Sequence, residues 1–354
     1  MTTVEEASDA LSKIIDAGSK KDLIELGWIK NVRVSSPRSI ITLAIPSYAN
    51  TQRDRIVKEI RNTLLNFSDI EDIQIELDNT PNQSNNVNEE SGPTLQAIQG
   101  IKKIIAVSSG KGGVGKSTVA VNIACSLAKI GLKTGLLDAD IYGPNTPSML
   151  GVSEQTPKVY GSGNDQRLIP ISQHGISIVS MCFLIEEGQP VIWRGPMLNT
   201  IIRQFLYQVE WNDLDVLVID LPPGTGDAQI SLAQSVPIAG AIIVTTPQKV
   251  SLQDSRRGLA MFKQLGVPLL GVVENMSAFI PPDQPEKKYE LFGKGGGQTL
   301  ADENQIPLLA QIPLEIPVVF DNNKGVPISI SDPDTISSVL FKELAIAIKS
   351  KYKI

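Results

Sequence analysis

The chain has 354 residues, 42% of them hydrophobic and 20% charged, with a net charge of −6. That length suggests two domains, or one large domain with an appendage, and the balance is that of a globular protein whose core needs no staples. An acidic chain offers no broad basic face, so nucleic acid is not an expected partner.

The two cysteines, Cys125 and Cys182, lie far apart. That spacing excludes a disulfide framework and a CxxC metal motif, and cysteine poverty suits a reducing compartment. His174 is the one histidine, within Ser172-Gln173-His174-Gly175, and no GxSxG elbow accompanies it. A turn residue is expected there rather than a member of a hydrolytic triad. The polar, acidic start Val4-Glu5-Glu6-Ala7-Ser8-Asp9 does not read as a secretory signal. No apolar run is long enough to span a bilayer. A cytoplasmic location without stable membrane association is therefore expected.

Residues 1–78 read as a small α+β domain. Helical spacing of Ala10, Leu11, Ile14 and Ile15 predicts a helix over Ala7–Ala17. Strands are expected at Ile29–Ser35 and Ser39–Ile45, a helix at Thr51–Leu65 with Ile56, Ile60 and Leu64 on one face, and a strand at Ile70–Leu77. Residues 79–99 read as a linker, because Asn79–Pro93 is almost wholly polar and cannot offset its ordering entropy.

Residues 100–354 change pattern. Strand-length apolar runs at Lys103–Ser108, Lys133–Leu137, Ile176–Met181, Val216–Ile219, Ala239–Thr245 and Leu269–Val273 alternate with helical stretches. The helices are expected at Lys116–Ile130, Met197–Val209, Ala228–Ser235 and Ser251–Leu265. This alternation predicts a doubly wound α/β domain with a mainly parallel sheet.

After the first of these strands comes Gly110-Lys111-Gly112-Gly113-Val114-Gly115-Lys116-Ser117-Thr118, and then a helix. This is the GxxxxGK[ST] P-loop in its strand–loop–helix setting. Its glycines let backbone N–H groups turn inward around a polyphosphate, and the helix aims its positive dipole end at the same anion. Lys116 is expected to neutralise β- and γ-phosphate charge, and Ser117 to ligate Mg²⁺. ATP is the expected nucleotide. Lys111 is a second lysine that an ordinary P-loop does not need; a cation there is placed to act across a dimer interface, as an arginine finger does. Carboxylates close two strands, at Leu137-Asp138-Ala139-Asp140 and at Ile219-Asp220-Leu221-Pro222-Pro223-Gly224. An aspartate after a strand often only caps a turn. Following a complete P-loop, Asp220 reads as the metal-directed aspartate, and the Gly224 amide as a γ-phosphate sensor.

The loop with Lys111 resembles the deviant Walker A motif of the MinD/ParA/nitrogenase-iron-protein class. Within that class, Leu137–Asn145, Trp193–Met197, Asp220–Asp227 and Val273–Ser277 look like the Mrp/ApbC branch of iron–sulfur cluster carrier ATPases. The N-terminal unit resembles the iron–sulfur-assembly domain often fused ahead of such ATPases. The resemblance implies a homodimer sandwiching ATP, with Lys111 acting in trans. It also implies that Asp140 positions the hydrolytic water, that Asp138 and Asp220 lie near Mg²⁺ through water, and that Asn275 contacts adenine. A transient [4Fe-4S] cluster and apo iron–sulfur client proteins are its implied cargo and partners.

One departure matters. The family usually carries a cluster-binding CxxC pair after the Asn-Met-Ser segment. Here that stretch reads Ala278-Phe279-Ile280-Pro281-Pro282-Asp283-Gln284-Pro285-Glu286, without cysteine. The small domain also lacks its usual cysteine, at Ile45–Asn50. Thiolates are the normal ligands of such clusters. Cys125, among Ile123, Ala124 and Leu127, reads as a small apolar residue. Cys182, paired across a dimer, is the remaining thiolate candidate, and Asp283 and Glu286 offer oxygen ligands in the altered loop.

Two further features have bland readings. Gly293-Lys294-Gly295-Gly296-Gly297 lacks the Lys-Ser/Thr of a phosphate loop and reads as a hinge before a helix at Gln298–Glu303. The helix expected over Thr335–Lys349 has Val339, Leu340, Leu344 and Ile348 on a stripe and lysines at its end; it reads as docked, with the lysines at its negative dipole end. Three functions thus compete: a carrier ATPase, a nucleotide-gated dimeric switch or scaffold that holds no cluster, and a MinD/ParA-like positioning ATPase.

Overall fold

Two compact units, Met1–Gly92 and Pro93–Ile354, divide the chain. The computed structural model describes residues 2–15, 22–24, 26, 28–35, 37–43, 53–70, 72–77, 98–140, 143–161, 166–184, 205–318 and 324–354. The segment expected as a linker lies outside these residues as far as position 97, as do the Trp193–Met197 motif and most of the helix expected at Met197–Val209.

The first unit comprises helix α1 (Val4–Leu11), strands β1 (Ile29–Ser35) and β2 (Arg38–Leu43), helix α2 (Arg53–Leu64) and strand β3 (Asp72–Leu77). β1 and β2 pair antiparallel. β2 and β3 pair parallel, an arrangement that needs a crossover, which α2 supplies. Ile56, Ile60 and Leu64 of α2 and Leu11 of α1 meet Ile41, Leu43 and Ile73 of the sheet around the buried Trp28. α1 begins at Val4, ahead of the expected Ala7, because Thr3 and Glu6 form a reciprocal capping box.

In the second unit, successive residues of the apolar strands enter different cores. Ile104, Ala106, Leu217 and Ile219 pack on one face, while Ile105, Val107, Val216 and Val218 pack on the other. This is why these runs lack polar alternation. The strands are β4 (Ile101–Ser109), β5 (Thr134–Asp138), β8 (Ile171–Gln173), β9 (Ile176–Ser180), β10 (Leu214–Asp220), β11 (Gly240–Thr245), β12 (Leu269–Ile280) and β13 (Leu308–Glu315). Their order is β13-β12-β11-β4-β10-β5-β9-β8. Seven run parallel, and the edge strand β8 pairs antiparallel with β9. Between β5 and β8 lie the short helix α4 (Thr146–Met149) and a ribbon of β6 (Lys158–Tyr160) and β7 (Arg167–Ile169).

The remaining helices are α3 (Lys116–Lys129), α5 (Asp227–Ser235), α6 (Lys249–Gln264), α7 (Gly296–Asn304), α8 (Ile328–Ser331) and α9 (Ile336–Tyr352). α9 is docked: Phe341, Leu344 and Ile348 are buried, Lys349 reaches the Ile130 carbonyl, and the Tyr352 hydroxyl donates to the Ala239 carbonyl at 2.9 Å.

Three strands of the large sheet differ from expectation, besides the unexpected β6–β7 ribbon. β12 continues seven residues past Val273, through a left-handed Met276 (φ 54°) at which its pairing with β13 slips. β8 and β13 were not foreseen. Both lie at sheet edges, where β13 can carry Gln311, Pro313 and Glu315 without a continuous apolar run.

Candidate nucleotide site

The sequence-derived site residues of the large unit, Cys182 just past β9 included, gather at or beyond the carboxyl ends of parallel strands, where open α/β sheets bind ligands. β4 sits between β11 and β10 and delivers the loop Gly110–Thr118 there. Gly115 caps α3 in the left-handed region (φ 79°), and a side chain on it would collide with the Asn275 amide. At Gly110 an added Cβ would strike the α6 backbone at Asp254–Ser255. The loop is thus pinned at both ends, while Gly112 and Gly113 between them are exposed. Lys111 is half-buried, and its carbonyl accepts from Ser109 Oγ at 2.9 Å. Val114 is buried, and its carbonyl accepts from Asn275 Nδ2 at 2.9 Å. The Thr118 carbonyl accepts from Asn122 one turn on.

Lys116 is buried against carboxylates. Its Nζ lies 2.6 Å from Asp220 Oδ1, 3.4 Å from Asp140 Oδ2 and 3.4 Å from Ser117 Oγ. Sheet register places Asp220 beside Asp138 and Val107. Asp138 is fully buried; it accepts from the Asp140 N–H at 3.1 Å, the Thr146 N–H at 3.3 Å and Ser180 Oγ at 3.0 Å. Burial, with the nearby charge of Asp220, pushes its carboxyl up to about 7. Burial pushes Asp220 upward too, opposed by Lys116 and Ser117.

Three carboxylates here face one ammonium, so the cluster is short of positive charge. Asp220 Oδ2 is buried and has no hydrogen-bond partner among the described residues. An all-oxygen set of Ser117, Asp138 and Asp220 with such an orphaned atom fits Mg²⁺, which prefers oxygen ligands and retains several waters. Beyond β10, the Gly224 N–H donates to the Ser109 carbonyl at 3.0 Å, so the turn after Asp220 rests on the strand leading into the loop.

The second glycine-rich loop is different. Gly295 caps α7 in the left-handed region, and the Gly297 N–H donates to the buried Glu274 carboxylate, which also accepts from Gln311 Nε2 at 2.7 Å. The chain itself supplies the anion at this helix start.

Cys125 is buried on α3, and burial pushes its thiol up to about 12. Cys182 is half-buried in a 3₁₀ turn, Met181–Leu184, directly after β9, and its N–H donates to Ser180 Oγ at 3.1 Å. Among the described residues no group of three or more His, Cys, Asp or Glu side chains is arranged around a metal position. Asp283 and Glu286 lie in an exposed loop closed by paired Phe279–Tyr289 backbone bonds. His174 sits in the β8–β9 turn at φ 50°, with Nε2 3.1 Å from the Gly325 carbonyl, a structural role.

The family described as ParA: NUBPL iron-transfer P-loop NTPase matches residues 100–349. The chain belongs to this family. It is 49% identical over 352 residues to an iron-sulfur cluster carrier protein of Synechocystis sp., spanning 99% of this chain and 98% of that one. A protein of the same description from Helicobacter pylori is 40% identical over 346 residues, spanning 98% and 92%. Among solved structures, a nucleotide-binding protein of Archaeoglobus fulgidus in complex with ADP superposes with a TM-score of 0.56 at 36% identity, covering 64% of this chain and 88% of that one. The fold is therefore that of a P-loop NTPase, and nucleotide hydrolysis is the chemistry of this family.

For a member of the iron-transfer NTPase family, three polar residues of this site carry no motif of their own: Ser108, Ser180 and Gln229. Ser180 ends an apolar strand beside Asp138, and that position is the one signal in the sequence that could have found it. Gln229 becomes visible only when its hydrogen bonds are traced.

Proposed function

We propose that this chain is a cytoplasmic, homodimeric ATPase that assists assembly or delivery of iron–sulfur clusters to apo client proteins. The observation that carries this reading is a phosphate loop whose Lys116 stands between Asp220 and Asp140, in a chain similar over nearly its full length to iron-sulfur cluster carrier proteins.

In this reading the loop amides and Lys116 bind the β- and γ-phosphates. A polyphosphate there competes with Asp220 and Asp140 for the ammonium. Ser117 would hold Mg²⁺, with Asp138 and Asp220 acting through water; the ion neutralises phosphate charge when bound. Asp140 orients the water that attacks the γ-phosphorus, the bond to the ADP oxygen breaks, and ADP and phosphate leave. The Gly224 N–H leaves the Ser109 carbonyl to sense the γ-phosphate, Asn275 meets the adenine, and Lys111 reaches the nucleotide of the partner subunit. The cluster is cargo, and Cys182 from each subunit is its proposed ligand.

Anaerobic reconstitution tests the carrier role. A visible and EPR signature of a [4Fe-4S] cluster, transferable to an apo-acceptor and lost in Cys182→Ala, is expected. No cluster and no stimulation of transfer would sink that role. Lys111→Ala is expected to abolish hydrolysis while ATP binding persists; full activity in that variant refutes action in trans. A second reading is favoured by the absence of cysteine from Ala278–Tyr289: a nucleotide-gated scaffold that holds no cluster. ATP-dependent client binding by metal-free protein would select it.

A further inference from the structure

The turn between Asp220 and Gly224 has an unusual weakness. Leu221 N–H donates to the Val107 carbonyl at 3.0 Å, and Gly224 N–H to the Ser109 carbonyl at 3.0 Å, so both its ends are tied to β4. Between them stand Pro222 and Pro223, which have no N–H to donate. The middle of the turn can be tethered only through a carbonyl. Gln229 provides that tether. It lies in the first turn of α5, is 1% exposed, and its Nε2 donates both to the Pro222 carbonyl and, at 3.0 Å, to Ser108 Oγ. One amide group therefore joins the strand that feeds the phosphate loop to the turn that presents Gly224. Its Oε1 is buried and has no partner among the described residues. An orphaned buried acceptor is destabilising, so space-filling does not account for a glutamine; leucine or methionine would fill the volume without it.

Resting on the ATPase reading above, we propose that Gln229 is a positioning residue for hydrolysis, whose amide fixes the Leu221–Gly224 turn on the phosphate-loop strand. The Gly224 N–H, held on the Ser109 carbonyl here, then lies beside the phosphate loop, where it exchanges that acceptor for the γ-phosphate as charge develops. Such a donor acts on the transition state more than on the bound nucleotide, so rate should suffer before affinity.

The test is steady-state ATP hydrolysis by the full chain, with thermal melting followed in parallel. Gln229→Leu keeps the volume and removes both donors; kcat is expected to fall about ten-fold while KM for ATP stays within about two-fold. Gln229→Glu places an acceptor where the donor stood and is expected to behave alike. Ser108→Ala removes one of the two acceptors and should lower kcat about three-fold. Its loss should vanish in the Gln229→Leu background, because both variants break one link. Wild-type kcat in Gln229→Leu overturns the proposal, as does a rate loss that tracks a lowered Tm with KM rising in step. If Gln229→Leu does not fold, wild-type kcat in Ser108→Ala overturns it instead. A wild-type chain that hydrolyses no nucleotide overturns the ATPase reading and this inference together, whereas an active wild type beside an equally active Gln229→Leu overturns the inference alone.

Discussion

The chain contains two glycine-rich loops that each turn through a left-handed glycine into a helix, Gly110–Thr118 into α3 and Gly293–Gly297 into α7. Both helix starts aim N–H groups and a positive dipole end outward, and both attract an anion. At α7 the anion is the chain's own Glu274. At α3 the acidic groups gather on Lys116. Glycine content alone therefore does not make a phosphate site. What separates the loops is whether the fold fills the helix start, and whether a lysine and a hydroxyl follow the last glycine.

Substitutions can break this contrast, and the largest effect is expected at the first loop. Lys116→Ala should lower ATP hydrolysis at least about 100-fold, since it removes the cation that meets phosphate charge; steady-state phosphate release measures it. The next is at the second loop. Glu274→Ala strips the buried Gly297 N–H and Gln311 amide of their acceptor and should cost about 2 kcal/mol of stability. Chemical denaturation reads that loss, and hydrolysis by the remaining folded protein should stay within about two-fold. A larger loss of hydrolysis would show that the second loop is no mere structural copy.

Asn275→Ala, which cuts the side-chain bond to the Val114 carbonyl, should raise KM for ATP about five-fold with little change in melting. A further effect is a pH slope. Asp138 titrates at about 7 when folded, against 3.8 as its ordinary value. The folded chain therefore holds a proton there that the unfolded chain has lost, and stability falls as pH rises from about 4 to about 7. Asp138→Asn removes this slope. In EDTA its melting temperature relative to wild type should climb between pH 5 and pH 8; a constant difference would contradict the burial argument.

Much of this was legible in the sequence because the signals are local. The strand–loop–helix at Ile104–Lys129 announces itself through apolar run, glycines and Lys116-Ser117. Asp138 and Asp220 follow apolar strands whose parallel pairing brings their ends together. What stayed hidden depends on the third dimension. β13 looks irregular because an edge strand tolerates Pro313 and Gln311. The continuation of β12 past Val273 is masked by the polar Glu274-Asn275 pair, which is buried because each side chain finds partners distant in sequence. Gln229 carries no signature because its role lies in two acceptors, 121 and 7 residues away.

Glu274 and Asn275 are neighbours on one strand, yet one serves α7 and the other serves the phosphate loop. Strand side chains alternate, so a shift of one residue sends each to the opposite side. A single-residue deletion within Leu269–Val273 would bring the Asn275 amide to the place of Glu274 at α7, Met276 to the place of Asn275 at the phosphate loop, and the Glu274 carboxylate to the buried place of Val273. Length, more than composition, is then the constrained property of this stretch. Scanning deletions should find it intolerant, judged by soluble yield and ATP hydrolysis, while the exposed loop around Pro282–Glu286 accepts a change of one residue.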